Sequence, residues 1–314
     1  MSTRIVRFTL HCSIGLAVAA CSSDSSAIPC TMDDQCVSHF CQADDTCAPL
    51  QTTPDGPSPV DSGSDTGSNG SGSNGLCTPN HDGMIVQSEL PLAAGSHANF
   101  LISAGLGSGA DTWDTTGSAA PDNSRTWDIT GIVGGTEQAI MLAAPAGAWW
   151  AADFTDATYA TVLSESAPTL LGVFHVDATG VTLLGVVSTT GGATETELKY
   201  DPPAQILKLP FMASSSWMSM STVENIETGV PVPVYTEEYD STVDEVGTMK
   251  TPYGSFPVLR VATNLLRNSI ADTRTFAWVA ECFGSVAQVT SQAFPNSVPS
   301  GEFSNPAEVW RITP

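Results

Sequence analysis

The sequence predicts a mainly β protein: an antiparallel curved sheet, half-barrel or sandwich, with at most short helices. A small disulfide module and a disordered linker precede it. Three observations carry this expectation. From about Leu76 to Pro314, short runs rich in Val, Ile, Thr, Trp and Phe are separated by Gly, Pro, Asn and Asp, the pattern of strands and turns. Helical periodicity is weak throughout. Eight cysteines fall into groups that suit an oxidising compartment.

The first element is residues 1–20. Arg4 and Arg7 form a positive n-region, and Phe8 to Ala20 is a mostly apolar stretch that ends Leu-Ala-Val-Ala-Ala before Cys21. About 13 residues are too few to span a bilayer as a helix, so the segment reads as a signal peptide. Small residues followed by a cysteine resemble the lipobox of bacterial lipoproteins. That resemblance implies that Cys21 carries acyl chains and becomes the N-terminus of a lipid-anchored protein. An ordinary secretory signal is the rival, since Val18, Ala19 and Ala20 suit either peptidase. Ser22 in place of an aspartate implies, by the same resemblance, sorting to the outer membrane, on its periplasmic face or at the cell surface.

Residues 21–50 hold Cys30, Cys36, Cys41 and Cys47, spaced C-x5-C-x4-C-x5-C. Two disulfides are expected, with three connectivities open. A tetrathiolate zinc site is the alternative, but it lacks the usual closely spaced C-x2-C pairs. So few residues bury no core, and bridges must hold the module together. It resembles short cysteine-rich segments behind the lipobox of some Gram-negative surface lipoproteins. Residues 51–75, QTTPDGPSPVDSGSDTGSNGSGSNG, contain no aromatic or basic side chain and read as a disordered tether. Of the remaining cysteines Cys12 lies in the signal, and Cys77 and Cys282 are expected to pair.

Within 76–314 the clearest element is a hairpin from Ser241–Lys250 into Ser255–Ala262. Thr251-Pro252-Tyr253-Gly254 is its turn, with Gly254 expected as the αL residue of a three-residue loop. A second hairpin is expected with Phe276, Trp278, Ala280 and Cys282 on one face, a turn at Phe283-Gly284-Ser285, and Val286–Thr290 returning. Glu308–Thr313 is the final strand, with Trp310 and Ile312 inward. Phe154–Leu163 is the best candidate for a short helix. Thr112-Trp113-Asp114-Thr115-Thr116-Gly117 recurs as Thr126-Trp127-Asp128-Ile129-Thr130-Gly131. The echo reads either as two strands with similar turns or as exposed Trp113 and Trp127 stacking on sugar rings.

An ordered series runs from Arg125-Thr126-Trp127-Asp128 through Tyr200-Asp201-Pro202-Pro203, Leu209-Pro210-Phe211 and Ser216-Trp217. It ends in Gly247-Thr248-Met249, Pro252-Tyr253-Gly254 and Phe256-Pro257-Val258-Leu259-Arg260-Val261. This series resembles uncharacterised secreted β-rich proteins of Gram-negative bacteria, and the domain more faintly resembles the concave half-barrel of periplasmic lipoprotein carriers. Both imply a fold class and an exported life, and neither transfers a functional residue.

With 33 acidic against 10 basic residues the net charge is −23, and −25 once residues 1–20 and their two arginines are removed. Such a surface repels phosphate backbones, which excludes nucleic acid as a partner. No H-E-x-x-H, G-x-S-x-G, P-loop or S-x-x-K motif occurs, and no cofactor or metal site is expected. His175 and Asp177 hint at hydrolase chemistry, but no serine is singled out to join them. Glu237-Glu238 and Asp240 read as a charged strand edge. The expectation is a non-enzymatic envelope protein that binds a glycan, a lipid or an envelope protein, with a structural role or a hydrolase as alternatives.

Overall fold

The computed structural model describes residues 77–104, 113, 115–120, 124–132, 134–192, 195–226, 231–293 and 301–314. Cys21, the Cys30–Cys47 module and the linker lie outside the described residues. Thr78–Pro314 belongs to one compact unit.

Sixteen strands are present among the described residues: β1 Met84–Ile85, β2 His97–Ala104, β3 Ser118–Ala119, β4 Arg125–Asp128, β5 Thr136–Met141, β6 Tyr159–Val162, β7 Leu170–Asp177 and β8 Gly180–Ser188. They continue as β9 Glu197–Lys208, β10 Phe211–Met212, β11 Ser216–Asn225, β12 Val232–Lys250, β13 Ser255–Arg267, β14 Ile270–Ala280, β15 Gly284–Ser291 and β16 Pro306–Thr313. Twelve follow one antiparallel path, β5-β2-β16-β15-β14-β13-β12-β11-β9-β8-β7-β6. The two ends of that path almost meet. Ala143, just past β5, exchanges backbone hydrogen bonds of 2.8 and 2.9 Å with Ala160 of β6. The expected curved antiparallel sheet is therefore present and nearly closed, which leaves few unpaired edges.

The run from β11 to β16 is an up-and-down meander, as local hairpins dictate. The β12–β13 hairpin forms where the sequence places it, but its loop is shorter than expected. Thr251 and Gly254 exchange both backbone bonds, so Pro252-Tyr253 is a two-residue connection. The turn after β14 falls at Glu281–Phe283, earlier than expected, with Cys282 in the left-handed region (φ 65°) and Gly284 already opening β15. A register shift at Trp278/Val279 also breaks the expected alternation: Trp278, Val279 and Ala280 are all buried. Cys282 is disulfide-bonded to Cys77, the pairing the cysteine count predicts.

Phe154–Leu163 forms no helix. Its second half is β6, and Tyr159, Ala160 and Thr161 are buried in succession. Both faces of this strand are covered, because Trp150 and Phe154 fold over Ala160, Val173 and Val187 as a second small core. A strand covered on two sides loses its alternation and is indistinguishable from a helix by pattern alone.

Prolines shape the sheet at β9. Its pairing with β11 stops at Asp201, immediately before Pro202-Pro203, because neither proline has an N–H to donate. Beyond them the Gln205 amide donates to the Ser219 hydroxyl instead, at 2.8 Å.

The long β12 pairs with β11 along its first part and, at Gly247–Lys250, with β4 in parallel. Gly247 is required there: a Cβ would stand 1.9 Å from the Arg125 carbonyl oxygen. Trp127 of β4 and the described residues Trp113, Thr115, Ile129, Ile132 and Gly134 meet the face of β13–β16 that carries Arg260, Trp278 and Arg311. Arg260 is 1 % exposed. It forks onto Asp244 (2.9 and 2.9 Å) and Glu302 (2.7 and 3.1 Å), donates to the Thr115 carbonyl, and lies over the Trp127 and Phe276 rings. Burial works to lower the pKa of its guanidinium, and the hydrogen bonds and charges of Asp244 and Glu302 outweigh that and raise it.

Candidate functional site

Strand alternation fixes which face of the sheet points inward. On β11 and β12, Met218, Met220 and Asp240 are exposed, whereas Trp217, Tyr239 and Ser241 are buried. Residues directly opposite one another in a ladder share a face. The register therefore extends the inward face strand by strand.

One inward row runs Trp217, Ser241, Thr263, Thr275, Thr290, Glu308 across six strands, each the cross-strand partner of the next. It is a belt of hydrogen-bonding groups inside the sheet. Ser241 and Thr263 hydroxyls meet at 2.9 Å, and those of Thr275 and Thr290 at 3.3 Å. At its end the buried Glu308 carboxylate accepts from the Ser164 hydroxyl at 2.8 Å, the Glu165 amide at 3.1 Å and the Trp310 indole. The adjacent row is Val243, Val261, Ala277, Gln288, Trp310, Ile102. It is apolar except for Gln288 and the Trp310 N–H.

On the other side of the belt, Ser221, Glu237 and Arg267 are paired across three strands. Glu237 is fully buried. Its carboxylate accepts from the Tyr200 and Tyr239 hydroxyls at 2.8 and 2.6 Å and from Arg267 at 2.8 Å, and Arg267 also meets Asp272 at 2.9 Å. Burial acts to lower the Arg267 pKa, but the Glu237 charge and hydrogen bond, with Asp272, hold it above the ordinary arginine value. The charged edge expected at Glu237-Glu238 is thus corrected: β12 is an interior strand, and the Glu237 charge is neutralised inside the sheet.

Two features distinguish the centre of this face from a plain core. Thr263, Thr275 and Ala277 keep partial solvent accessibility, although the neighbours around them on the same face are buried. Thr263 and Thr275 are cross-strand partners, and Ala277 is the cross-strand partner of Gln288. Four buried polar atoms on this face also have no hydrogen-bond partner: both amide atoms of Gln288, the Trp217 indole N–H and the Ser221 hydroxyl. Buried polar groups are nearly always paired, and an orphaned one costs about 1–3 kcal/mol. A site prepared to receive hydrogen bonds has this character.

The sequence-predicted ligand residues lie elsewhere. Trp127 is fully buried and Trp113 partly so, and both meet Trp278 edge-on, at 5.6 and 5.5 Å. Each indole donates into the other repeat: Trp113 to the Asp128 carbonyl at 3.1 Å, Trp127 to the Thr115 carbonyl at 2.9 Å. The duplicated motif is a clasp around Trp278 rather than a pair of exposed rings. Gly117 completes it with φ 68°, because any Cβ there would strike the Trp127 ring at 2.7 Å. His175 sits on the outer side of β7, its Nδ1 2.6 Å from the Asp156 carbonyl and its Nε2 3.6 Å from Asp177. Among the described residues no three His, Cys, Asp or Glu side chains gather as a metal site.

The belt itself was invisible in the sequence. Ser241, Thr263, Thr275, Thr290 and Gln288 are ordinary strand residues until the register aligns them. Glu308 offers a test of how dry the belt is. Burial raises its carboxyl pKa above the usual range, and the three donors only partly offset this. A carboxyl raised in the folded state favours the protonated fold, so its contribution is fully present below the unfolded pKa and is lost as pH rises through the folded one. Glu308→Gln is therefore expected to flatten the fall in stability from acidic to neutral pH. Urea midpoints at pH 4 and pH 7.5 measure it, and parallel profiles for both proteins would refute the assignment.

No family model, curated protein or solved structure matches the chain.

Proposed function

We propose that this chain is an exported, lipid-anchored envelope protein whose β domain binds a small ligand inside its curved sheet. The observation that carries the reading is Gln288: an inward amide, 2 % exposed, with neither polar atom partnered, beside the accessible Thr263–Thr275–Ala277 surface. A core built only for stability would place a hydrocarbon there. The lipid anchor and export rest on the Cys21 signal and on cysteine parity, and the outer membrane is the proposed destination.

Native mass spectrometry of the full chain from its own envelope, in mild detergent, tests both halves. The expected result is an acylated Cys21 and a population carrying a bound small molecule released on denaturation. Bare protein in every preparation would overturn ligand binding and leave a structural envelope role. A free N-terminus would overturn the anchor.

A further inference from the structure

We infer that the interior site takes an uncharged amphiphile and that Gln288 reads its polar head group. This rests on the reading that the site holds a ligand at all. Gln288 stands at a boundary. In its own row are Val243, Val261, Ala277, Trp310 and Ile102, and beside it run Ser241, Thr263, Thr275 and Thr290. A molecule lying across the two rows meets hydrocarbon on one side and hydroxyls on the other. That matches a tail and a head.

The head must be neutral. In the two rows around Gln288 the inward polar groups without a charge are its own amide and the hydroxyls of Thr263, Thr275 and Thr290. The two inward carboxylates are already committed, Glu237 to Arg267 and two phenols, Glu308 to three donors. A charged head would lose its hydration with no countercharge to replace it, a loss of several kcal/mol for a single ion. An amide presents one acceptor and a donating NH2, so the fitting head group donates and accepts together, as a hydroxyl or an amide does.

The experiment titrates the full chain with 1-monolauroylglycerol, sodium dodecanoate and dodecyltrimethylammonium, each below its micelle concentration, and follows tryptophan fluorescence and heat. The neutral probe is expected to bind at least ten-fold more tightly than either charged one. Gln288→Met, which keeps length and flexibility, is expected to weaken that binding at least ten-fold while leaving the melting temperature of the free protein equal or higher. Thr275→Val provides a second, nearly isosteric variant with the same expected direction. Equal binding of the charged probes would overturn the neutral-head assignment, and unchanged affinity in both variants would overturn the role of Gln288. If none of the three probes binds while native mass spectrometry shows a resident molecule, the amphiphile class fails and the ligand reading survives. If the protein is also bare, the ligand reading fails with it.

Discussion

Breaking the Cys77–Cys282 disulfide is expected to destabilise the β domain by about 5 kcal/mol. The bond closes a loop of roughly 200 residues, and in the chain-entropy account the unfolded ensemble gains that freedom when the bond is lost. For a domain of this size the loss corresponds to a fall in melting temperature of roughly 10–20 °C. Cys282 holds a left-handed backbone conformation in the β14–β15 turn, and its amide donates to the Glu89 carbonyl at 2.8 Å. That second tie keeps the turn in place when the sulfur link is cut, so the native sheet persists and the effect lies in the unfolded chain. Scanning calorimetry of Cys77→Ser/Cys282→Ser against the oxidised protein measures it. A shift below about 3 °C would mean that the unfolded chain retains enough structure for the link to constrain little.

Among single substitutions, Arg311→Met is expected to cost about 3 kcal/mol. Arg311 is fully buried, and no carboxylate is among its hydrogen-bond partners. Its guanidinium donates to the Ile132 and Gly134 carbonyls at 2.6 Å each, to the Ser103 hydroxyl at 3.2 Å and to the Ile129 carbonyl at 3.4 Å. Burial lowers its pKa, so the cation itself is costly, and that cost offsets part of what the bonds supply. Removing the side chain strands several acceptors together, each worth about 1–3 kcal/mol when buried and unpaired. Ile129, Ile132 and Gly134, between β4 and β5, are what Arg311 holds. Arg311→Lys cannot reach this spread of acceptors with one ammonium and is expected to recover less than half of the loss. Urea unfolding gives the numbers, and limited proteolysis of the same segment gives an independent reading. If Arg311→Met is as stable as the parent, the desolvation cost has cancelled the bonds.

Several elements could be read directly from residues because their physics is local. The β12–β13 hairpin is written in Thr251-Pro252-Tyr253-Gly254, and the final strand buries Trp310 and Ile312, although Val309 and Arg311 on its other face are buried as well. The loop lengths were harder. Whether Gly254 takes a left-handed conformation depends on which backbone groups across the turn finally pair, and sequence supplies only the residue that would tolerate it. The clasp of Trp113 and Trp127 around Trp278 was legible as a repeat but not as a contact, since nothing in either copy names its partner on β14. Glu237 shows the same limit. Its neighbours in sequence suggest an edge, and only the ladder from β9 to β13 reveals two phenols and an arginine converging on it.

By itself, then, the sequence determined the antiparallel β class, the place of the β12–β13 hairpin, the pairing of Cys77 with Cys282 and a strongly acidic composition. Those follow from composition, from period-two patterning and from turn chemistry, all of which act over a few residues. Only the tertiary structure decided that the sheet almost closes through Ala143 and Ala160, and that Ser241, Thr263, Thr275, Thr290 and Glu308 form one row beside an unpartnered Gln288. Register is the physical reason. A slip of one residue in any strand sends its whole inward set to the other face, and register is fixed by the summed packing of residues far apart in the chain.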